Sequence, residues 1–403
     1  MDTADVVVVG GGPAGAAAGI RLARAGRDVV LVDKATFPRD KICGDGLTAG
    51  ALRLLETLGL DPATVPSWQP VDDVVVRSPS GHEATFPLPR GDGLYAAVAR
   101  RAELDAALLD VARAAGVEVL EGHACIGAEE RADRVVLEVD GVGPLAARYA
   151  IGADGMWSPL RKHLGAATPG YLGEWHAFRQ YFTGVGPEAA DKLFVWFEAD
   201  LLPGYAWSFP LPGGGANVGF GIQRAGGKVA RVQDMKAIWP DLLARPHIAA
   251  VLGDEARPES PHKAWPIPAR IDDVVLSTAR TMFVGDAAAA TDPMTGEGIG
   301  QALLTGVLAA EAIEIEGLDA AQVMARYHRS VTAALVADHR MSMLLIRALQ
   351  HRKGARAAVR IAGATPWTRR HFARWLFEDY PRSLITTPRR WHRGMFTGAG
   401  AYR

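Results

Sequence analysis

The pattern of apolar and polar positions opens with an unbroken β-branched run at 6–9, which a glycine-rich turn separates from the first helix. A run without alternation predicts a strand buried on both faces. Gly10, Gly12 and Gly15 follow as G-x-G-x-x-G, which permits a tight turn, approach of a pyrophosphate and close helix–strand packing. The next apolar run ends at Asp33, 18 residues past Gly15, where a carboxylate can accept hydrogen bonds from a ribose. Together these features predict a dinucleotide site.

Two later predicted strands are also followed by an aspartate. One is followed by Asp154, and another runs into Gly285 and Asp286 before a helix predicted at 301–316. In a doubly wound sheet such strand ends face a ligand, and a helix N-terminus there favours negative charge. These positions extend the predicted nucleotide site.

The remaining pattern predicts an insertion and a helical end. Alternating aromatic and polar residues at 174–222 indicate an antiparallel sheet. We also expect two short strands within 71–89 and a short helix near 232–243. The predicted fold class is α/β, a Rossmann-like nucleotide domain with an inserted antiparallel substrate domain and a C-terminal helical region. The expected boundaries are 1–70, 98–165 and 275–318 for the nucleotide domain, 71–97 and 166–274 for the substrate domain, and 319–403 for the helical region.

Composition narrows the class of protein. A chain of 403 residues is too long for one small core. The acidic start runs directly into a strand, unlike a signal peptide, and no stretch reaches the length of a membrane span, so we expect a cytoplasmic protein. The two cysteines, Cys43 and Cys125, predict no disulfide framework, and no metal site or nucleic-acid partner is expected.

Charge is unevenly distributed although the net charge is −1. From Arg340 onward the chain carries 14 Lys plus Arg against two acids, interleaved with aromatic residues such as Trp367 and Trp375. This mixture suits peripheral contact with an anionic membrane at its inner face. The alternative is a solvated face whose arginines pair with the acidic body.

Three strand ends in this order, with an Arg-led helix between them, resemble the FAD domain of the flavoprotein hydroxylase superfamily. The resemblance implies that Arg101, followed by Leu104 and Asp105, contacts the FAD phosphates and that Asp286 contacts the ribityl chain. It also implies that the loop around Pro293 lies along the isoalloxazine. The predicted FAD-binding residues are Gly10, Gly12, Pro13, Ala14, Gly15, Asp33, Lys34, Arg101, Asp154, Gly285, Asp286, Pro293, Gly296, Gly298 and Ile299.

Two further stretches are similar to the geranylgeranyl reductase family. The segment 38–48 resembles its cysteine-bearing loop, and 202–210 with Gly219-x-Gly221 resembles its Y-x-W-x-F-P…G-x-G substrate motif. The resemblance implies reduction of isolated C=C bonds in a prenyl chain, on geranylgeranyl lipids or on the isoprenoid tail of menaquinone. The electron donor would be NAD(P)H or a ferredoxin-type protein.

The residues of these stretches suit that chemistry. Tyr205, Trp207 and Phe209 alternate along a strand, so they project to one face and can line a channel for a polyprenyl chain, unless the stripe is sheet core. Cys43 can donate a proton or shape the flavin's position, unless it is a small buried apolar residue. The predicted catalytic residues are Cys43, Tyr205 and Trp207, and the predicted substrate-binding residues are Gly44, Asp45, Tyr205, Trp207, Phe209, Pro210, Gly219 and Gly221.

Other functions share this fold. A flavin monooxygenase is the first alternative. A halogenase is less favoured for two reasons. The run 205–210 has Tyr205 and Phe209 where the W-x-W-x-I-P motif of flavin halogenases has Trp and Ile. The lysine with which those enzymes relay hypohalous acid is also absent from the region expected to carry it, between Lys41 and Lys162. A non-catalytic flavoprotein docked on a membrane is the third.

Overall fold

The computed structural model describes residues 3–224, 234–391 and 395–403. Its strands are β1 Thr3–Val9, β2 Val29–Asp33, β3 Gly46–Thr48, β4 Gln69–Pro70, β5 Asp73–Arg77, β6 Glu83–Pro87, β7 Ala96–Val98, β8 Glu118–Glu121, β9 Cys125–Glu130, β10 Val135–Val139, β11 Gly143–Gly152, β12 Trp175–Thr183, β13 Leu193–Trp196, β14 Tyr205–Leu211, β15 Gly215–Gln223, β16 Arg257–Pro258, β17 Lys263–Ile267 and β18 Thr281–Phe283. Its helices are α1 Pro13–Arg24, α2 Ala49–Thr57, α3 Arg101–Ala114, α4 Pro159–His163, α5 Pro187–Asp191, α6 Met235–Leu243, α7 Pro246–Leu252, α8 Ile299–Glu314, α9 Ala320–Val331, α10 Ala337–Leu349, α11 Arg352–Ala362 and α12 Pro366–Leu376.

The first sheet carries the strand order β8-β2-β1-β11-β10-β9, with β18 paired to β11. β8, β2, β1, β11 and β18 are parallel, whereas β9 and β10 complete the sheet antiparallel. Parallel strands place their carboxyl ends at one edge, so the residues after Val9, Val32, Gly152 and Phe283 gather there. The predicted Rossmann-like α/β class is confirmed.

The second sheet carries the inserted strands in the order β16-β12-β15-β14-β13-β5-β6, with β17 paired to β12. β13, β14 and β15 form an antiparallel meander and β12 pairs antiparallel with β15, in agreement with the antiparallel sheet that the aromatic–polar alternation predicts. The two strands expected within 71–89 are β5 and β6, and they extend this sheet. A small third sheet, β3-β7-β4, pairs the strand after the Cys43 loop with the strand before α3.

The helices cover the first sheet and close the chain over the second. α8 packs against α1, and a Cβ at Gly306 would stand 2.1 Å from the Ala14 carbonyl oxygen, so this contact requires glycine. After α12 the chain returns to the start of α2, where the Ala49 N–H donates to the Phe377 carbonyl at 2.9 Å. None of the helices in the described ranges is long and apolar enough to cross a bilayer.

The observed helix boundaries differ from the predicted ones by only a few residues. The helix expected at 301–316 runs from Ile299 to Glu314, because Gly298 ends the preceding loop and acts as its N-cap. The passage expected near 232–243 contains α6, Met235–Leu243, while residues 232 and 233 lie outside the described residues.

Candidate functional site

A single cavity of about 590 Å³ joins the carboxyl edge of the first sheet to the face of the second. The predicted FAD-binding residues that line it are Gly10, Gly12, Pro13, Ala14, Asp33, Lys34, Arg101, Asp154, Gly285, Asp286, Pro293, Gly296, Gly298 and Ile299. The other predicted residues that line it are Cys43, Gly44, Asp45, Tyr205, Trp207, Phe209 and Gly221. Gly15, Pro210 and Gly219 lie outside the lining.

The glycine turn fits a bound pyrophosphate. Gly10 has φ of 109°, and a Cβ there would stand 2.3 Å from the Ala153 carbonyl oxygen. A Cβ at Gly15 would stand 1.8 Å from the Gly10 carbonyl oxygen, so Gly15 allows α1 to pack on the turn and has a supporting role. Gly12 is the N-cap of α1 and provides no side-chain acceptor, which leaves the N–H groups of the first turn available to an anion.

Polar groups at the strand ends fit the rest of FAD. Asp33 accepts hydrogen bonds from the N–H groups of Gly11, at 2.6 Å, and Ala35, at 2.8 Å, and so is fixed at the turn. Asp154 Oδ2 accepts from the Leu160 N–H at 2.9 Å, whereas none of the residues that the structure describes donates to its buried Oδ1. Burial raises the pKa of this carboxyl. A carboxylate oxygen without a partner at the cavity wall can accept a hydrogen bond from a ligand hydroxyl.

Cations surround the same end of the cavity. The buried Arg101 guanidinium donates two bonds of 2.7 Å to Asp105, which also accepts from Arg39 at 2.8 Å. Arg39 Nη2 comes within 3.5 Å of a Cβ built on Gly12, so it stands at the turn where a phosphate would lie. Lys41 Nζ is 3.3 Å from the Asp286 carboxylate. The sequence analysis did not single out Arg39 or Lys41, although both lie in the motif-bearing segment 38–48.

Three aromatic side chains form a wall along β14 at the other end of the cavity. The ring centroids of Tyr205 and Trp207 are 6.1 Å apart, and those of Trp207 and Phe209 are 6.0 Å apart. Trp207 faces Gly219 on β15, where a Cβ would stand 2.4 Å from the indole, so Gly219 makes room for the ring. Pro210 points to the opposite side of the strand from this wall. We call Tyr205, Trp207 and Phe209 the aromatic wall.

The Cys43 loop is held behind the aromatic wall. Asn217 donates to the Cys43 carbonyl and to Asp45 Oδ2, both at 2.9 Å, and accepts from the Trp207 indole N–H at 3.2 Å. The Tyr181 hydroxyl donates to the same Asp45 oxygen at 2.6 Å. The Asp45 side chain is 0 % exposed, so it supports the loop, and burial raises its pKa to about 6. Burial also raises the pKa of the Cys43 thiol, which keeps it protonated.

The C-terminal region contributes to the cavity, which the sequence analysis did not predict. Phe372, Leu376 and Phe377 line it, and so does Glu297 between the two predicted glycines of the α8 loop. Burial and the charge of Glu378 raise the pKa of Glu297 to about 8. Glu297 was recognisable as an acid within a ligand-facing loop. No local pattern marks residues 372–378 as neighbours of that loop.

Some arginines of the basic C-terminal region pair with carboxylates of the protein, and others are exposed at the surface. Arg374 and Arg382 are buried and pair with Asp379 and Asp292, and Arg390 pairs with Asp338 at 2.9 Å. These arginines therefore pair with carboxylates of the fold. Several basic residues of the tail are exposed: Arg340 and Arg347 on α10, Arg352, Lys353, Arg356 and Arg360 on α11, Arg369 and Arg370 at the start of α12, and Arg389 and Arg403 beyond it.

Comparison with known proteins agrees with this geometry. The family model "FAD binding domain" matches residues 3–330. The menaquinone reductase of Mycobacterium tuberculosis H37Rv is 36% identical over 345 residues, covering 79% of this chain and 78% of that protein. Digeranylgeranylglycerophospholipid reductase 2 of Methanopyrus kandleri is 32% identical over 337 residues, covering 80% and 81%. The structure of a geranylgeranyl bacteriochlorophyll reductase-like protein from Thermoplasma acidophilum superposes with a TM-score of 0.79, at 22% identity, over 96% of this chain and 99% of that chain.

The parallel sheet, the glycine turn and the matched family model define an FAD-binding flavoprotein with the fold of the flavoprotein hydroxylases. Within that class the chain belongs to the geranylgeranyl reductase family and is an FAD-dependent oxidoreductase. No group of three or more potential metal ligands occurs among the residues described in the structure.

Proposed function

We propose that this protein reduces isolated C=C bonds of a polyprenyl chain, with the isoprenoid tail of menaquinone as the first candidate substrate and geranylgeranyl lipids as the second. The observation that carries the proposal is the continuity of one cavity, which has the glycine turn at one end and the aromatic wall at the other. The identity of 36% with a menaquinone reductase supports the order of the two candidates.

The residues of the chain have separable tasks in this reaction. FAD, when bound and reduced, supplies a hydride to one carbon of the double bond. Gly12 and Arg39 hold the pyrophosphate end, while Asp154 and Asp286 hold the hydroxyl-bearing chain. The aromatic wall orients the prenyl chain and excludes water, and its ring faces stabilise positive charge that develops on an alkene carbon.

The contacts of the predicted catalytic residues support these tasks. The Tyr205 hydroxyl donates to the Thr295 carbonyl, which joins the aromatic wall to the loop expected along the isoalloxazine. Trp207 is fixed through Asn217, which also holds the Cys43 carbonyl. We therefore assign Tyr205 and Trp207 to orienting the alkene, and Cys43 to shaping the contact between the loop and the flavin.

The test is incubation of the anaerobic, dithionite-reduced protein with menaquinone, geranylgeranyl diphosphate and geranylgeranylglycerol lipid in turn, followed by mass analysis of each. We expect a gain of two hydrogens per reduced bond, first with menaquinone. If every prenyl compound is unchanged and a product heavier by one oxygen forms only after air is admitted, the protein is a monooxygenase.

We infer that the exposed face of the C-terminal helices contacts an anionic membrane. Leu344 on α10, Ile361 on α11 and Trp367 on α12 are 57%, 70% and 69% exposed, and Arg352 and Arg356 on α11 are exposed as well. Exposed apolar side chains flanked by arginines favour a lipid headgroup surface. A water-insoluble prenyl substrate would then reach the cavity from the membrane. The electron donor, NAD(P)H or a ferredoxin-type protein, is identified by which of them reduces the bound flavin in stopped-flow absorbance.

A further inference from the structure

A group of charged side chains meets where the C-terminal segment passes the start of α8. Arg382 is only 2 % exposed at its side chain; its Nε lies 3.2 Å from Asp292 Oδ2 and its Nη2 lies 3.4 Å from Glu378 Oε1. Asp292 also accepts hydrogen bonds from the Ser342 hydroxyl at 2.6 Å and from Thr295. Arg382 and these donors hold the pKa of Asp292 below its usual value, so this carboxylate is ionised.

Glu297 and Glu378 are the two further carboxyl groups at this position: a Cβ built on Gly300 would stand 3.4 Å from Glu297 Oε1 and 3.5 Å from the Thr48 hydroxyl oxygen that donates to Glu378. Glu297 Oε1 accepts from the Gly300 N–H at 2.7 Å, and no hydrogen bond to Glu297 Oε2 is found among the residues described. Glu378 accepts from Gln301 at 2.8 Å and from the Thr48 hydroxyl at 3.2 Å. We call Glu297 and Glu378 the carboxyl pair.

The balance of charge keeps a proton on the carboxyl pair. Arg382 already faces the ionised Asp292, so full ionisation of the pair would set three carboxylates against one guanidinium in a buried site. Like charges in poorly solvated surroundings cannot both ionise, and such a pair titrates as a unit. The polar and titratable groups that face the pair are Asp292 and Thr295 of the loop, Arg382 of the C-terminal segment, Gln301 and the N–H groups of α8, Thr48 of β3, Tyr205 of β14 and Cys43.

The carboxyl pair adjoins the reacting end of the aromatic wall. Glu297 lines the cavity within the loop whose Thr295 carbonyl accepts from the Tyr205 hydroxyl. A Cβ at Gly296, the neighbouring residue, would stand 3.7 Å from that hydroxyl oxygen. A prenyl chain lying against Tyr205 is therefore next to the loop that carries Glu297, a residue of the same cavity lining.

We propose that Glu297, with Glu378 as its partner, is the acid that supplies the proton for alkene reduction. The inference rests on the proposed function. One alkene carbon receives hydride from reduced FAD; at the other carbon the π electrons form a C–H bond with the Glu297 proton as its O–H bond breaks. Glu297 is left as the carboxylate and recovers a proton from water. Glu378, contributed by the chain beyond the matched FAD-binding region, is a positioning residue.

The activity test compares variants in single turnover with reduced enzyme and menaquinone. Glu297→Gln should lower the rate of alkene reduction by at least ~100-fold, with FAD content and flavin reduction unchanged. Glu311→Gln, a carboxylate further along α8, is the matched control and should react as the wild type does. The rate should fall at alkaline pH as the acid ionises. Glu378→Gln removes a negative charge, which lowers the pKa of Glu297 and moves that fall to lower pH. A Glu297→Gln rate within threefold of wild type, or a fall that does not move, would overturn the proposal.

A second measurement separates this proposal from the proposed function. Infrared difference spectra of wild type against Glu297→Gln, without prenyl substrate, should show the carbonyl band of a protonated carboxyl at neutral pH. The band should disappear at alkaline pH, and at lower pH in Glu378→Gln. Absence of the band overturns the carboxyl pair as a proton store, whatever the substrate. If the band is present but the protein reduces no prenyl compound, the proposed reaction is overturned and the protonated carboxyl pair is not.

Discussion

The packing of Trp207 against Gly219 predicts how much stability a side chain at position 219 would cost. A Cβ at Gly219 would stand 2.4 Å from Trp207 Cζ2 and 2.4 Å from the Phe178 carbonyl oxygen. β15 pairs with β12 and β14 on its two sides, so relief requires both displacement of the indole and a shift of the paired backbone at Phe178. Overpacking of this kind costs ~1–3 kcal/mol. Loss of the buried indole hydrogen bond to Asn217 adds ~1 kcal/mol.

We therefore expect Gly219→Ala to lower the free energy of unfolding by about 2–4 kcal/mol, measured from denaturant titrations monitored by tryptophan fluorescence. Gly221→Ala is the control for stability, because the nearest atom to a Cβ there, the His176 carbonyl oxygen, is 3.9 Å away. In the folded Gly219→Ala protein, displacement of Trp207 should raise KM for the prenyl substrate with FAD binding unchanged. Equal stability of the two variants, with an unchanged KM, would refute the role given to Gly219.

Three further predictions follow from the site and the surface. Gly12→Val places a branched side chain over the first turn of α1 and should weaken FAD binding by the apoprotein at least ~10-fold in a fluorescence titration; unchanged affinity would contradict the pyrophosphate position. Arg356→Glu combined with Trp367→Ala should reduce binding to anionic liposomes at low salt in a flotation assay, whereas Arg329→Glu on α9 should not; equal binding would exclude this membrane face. Because burial raises the pKa of Asp45 to about 6, above the ordinary 3.8, the folded state holds that proton more tightly. Wild type should thus lose up to ~3 kcal/mol of stability relative to Asp45→Asn as pH rises from about 4 to 6, and a constant difference would contradict it.

The nucleotide half of the fold could be predicted because its signals are local. A β-branched run buried on both faces, a glycine turn and an acid at the next strand end each constrain a few neighbouring residues, and together they specify the carboxyl edge of a parallel sheet. The alternation of Tyr205, Trp207 and Phe209 likewise places them on one face of one strand. These inferences require no knowledge of distant contacts.

The rest of the candidate site depends on contacts between distant parts of the chain. Glu378 approaches Glu297 only because the C-terminal segment returns to the start of α2, and no periodicity in either stretch encodes that return. Arg374 and Arg382 look like solvated tail residues in the sequence, yet each is buried against a carboxylate. Gly219 belongs to a motif expected to bind substrate, whereas it is its position opposite Trp207 that gives it a supporting role.

The central claim is tested most directly by anaerobic single turnover, with flavin absorbance and product mass followed in the same sample. The reduced protein is mixed with menaquinone in the absence of oxygen. We predict that the flavin is reoxidised in step with the gain of two hydrogens per reduced bond in the isoprenoid tail. A flavin that remains reduced, together with an unchanged menaquinone and unchanged geranylgeranyl lipids, would contradict the assignment.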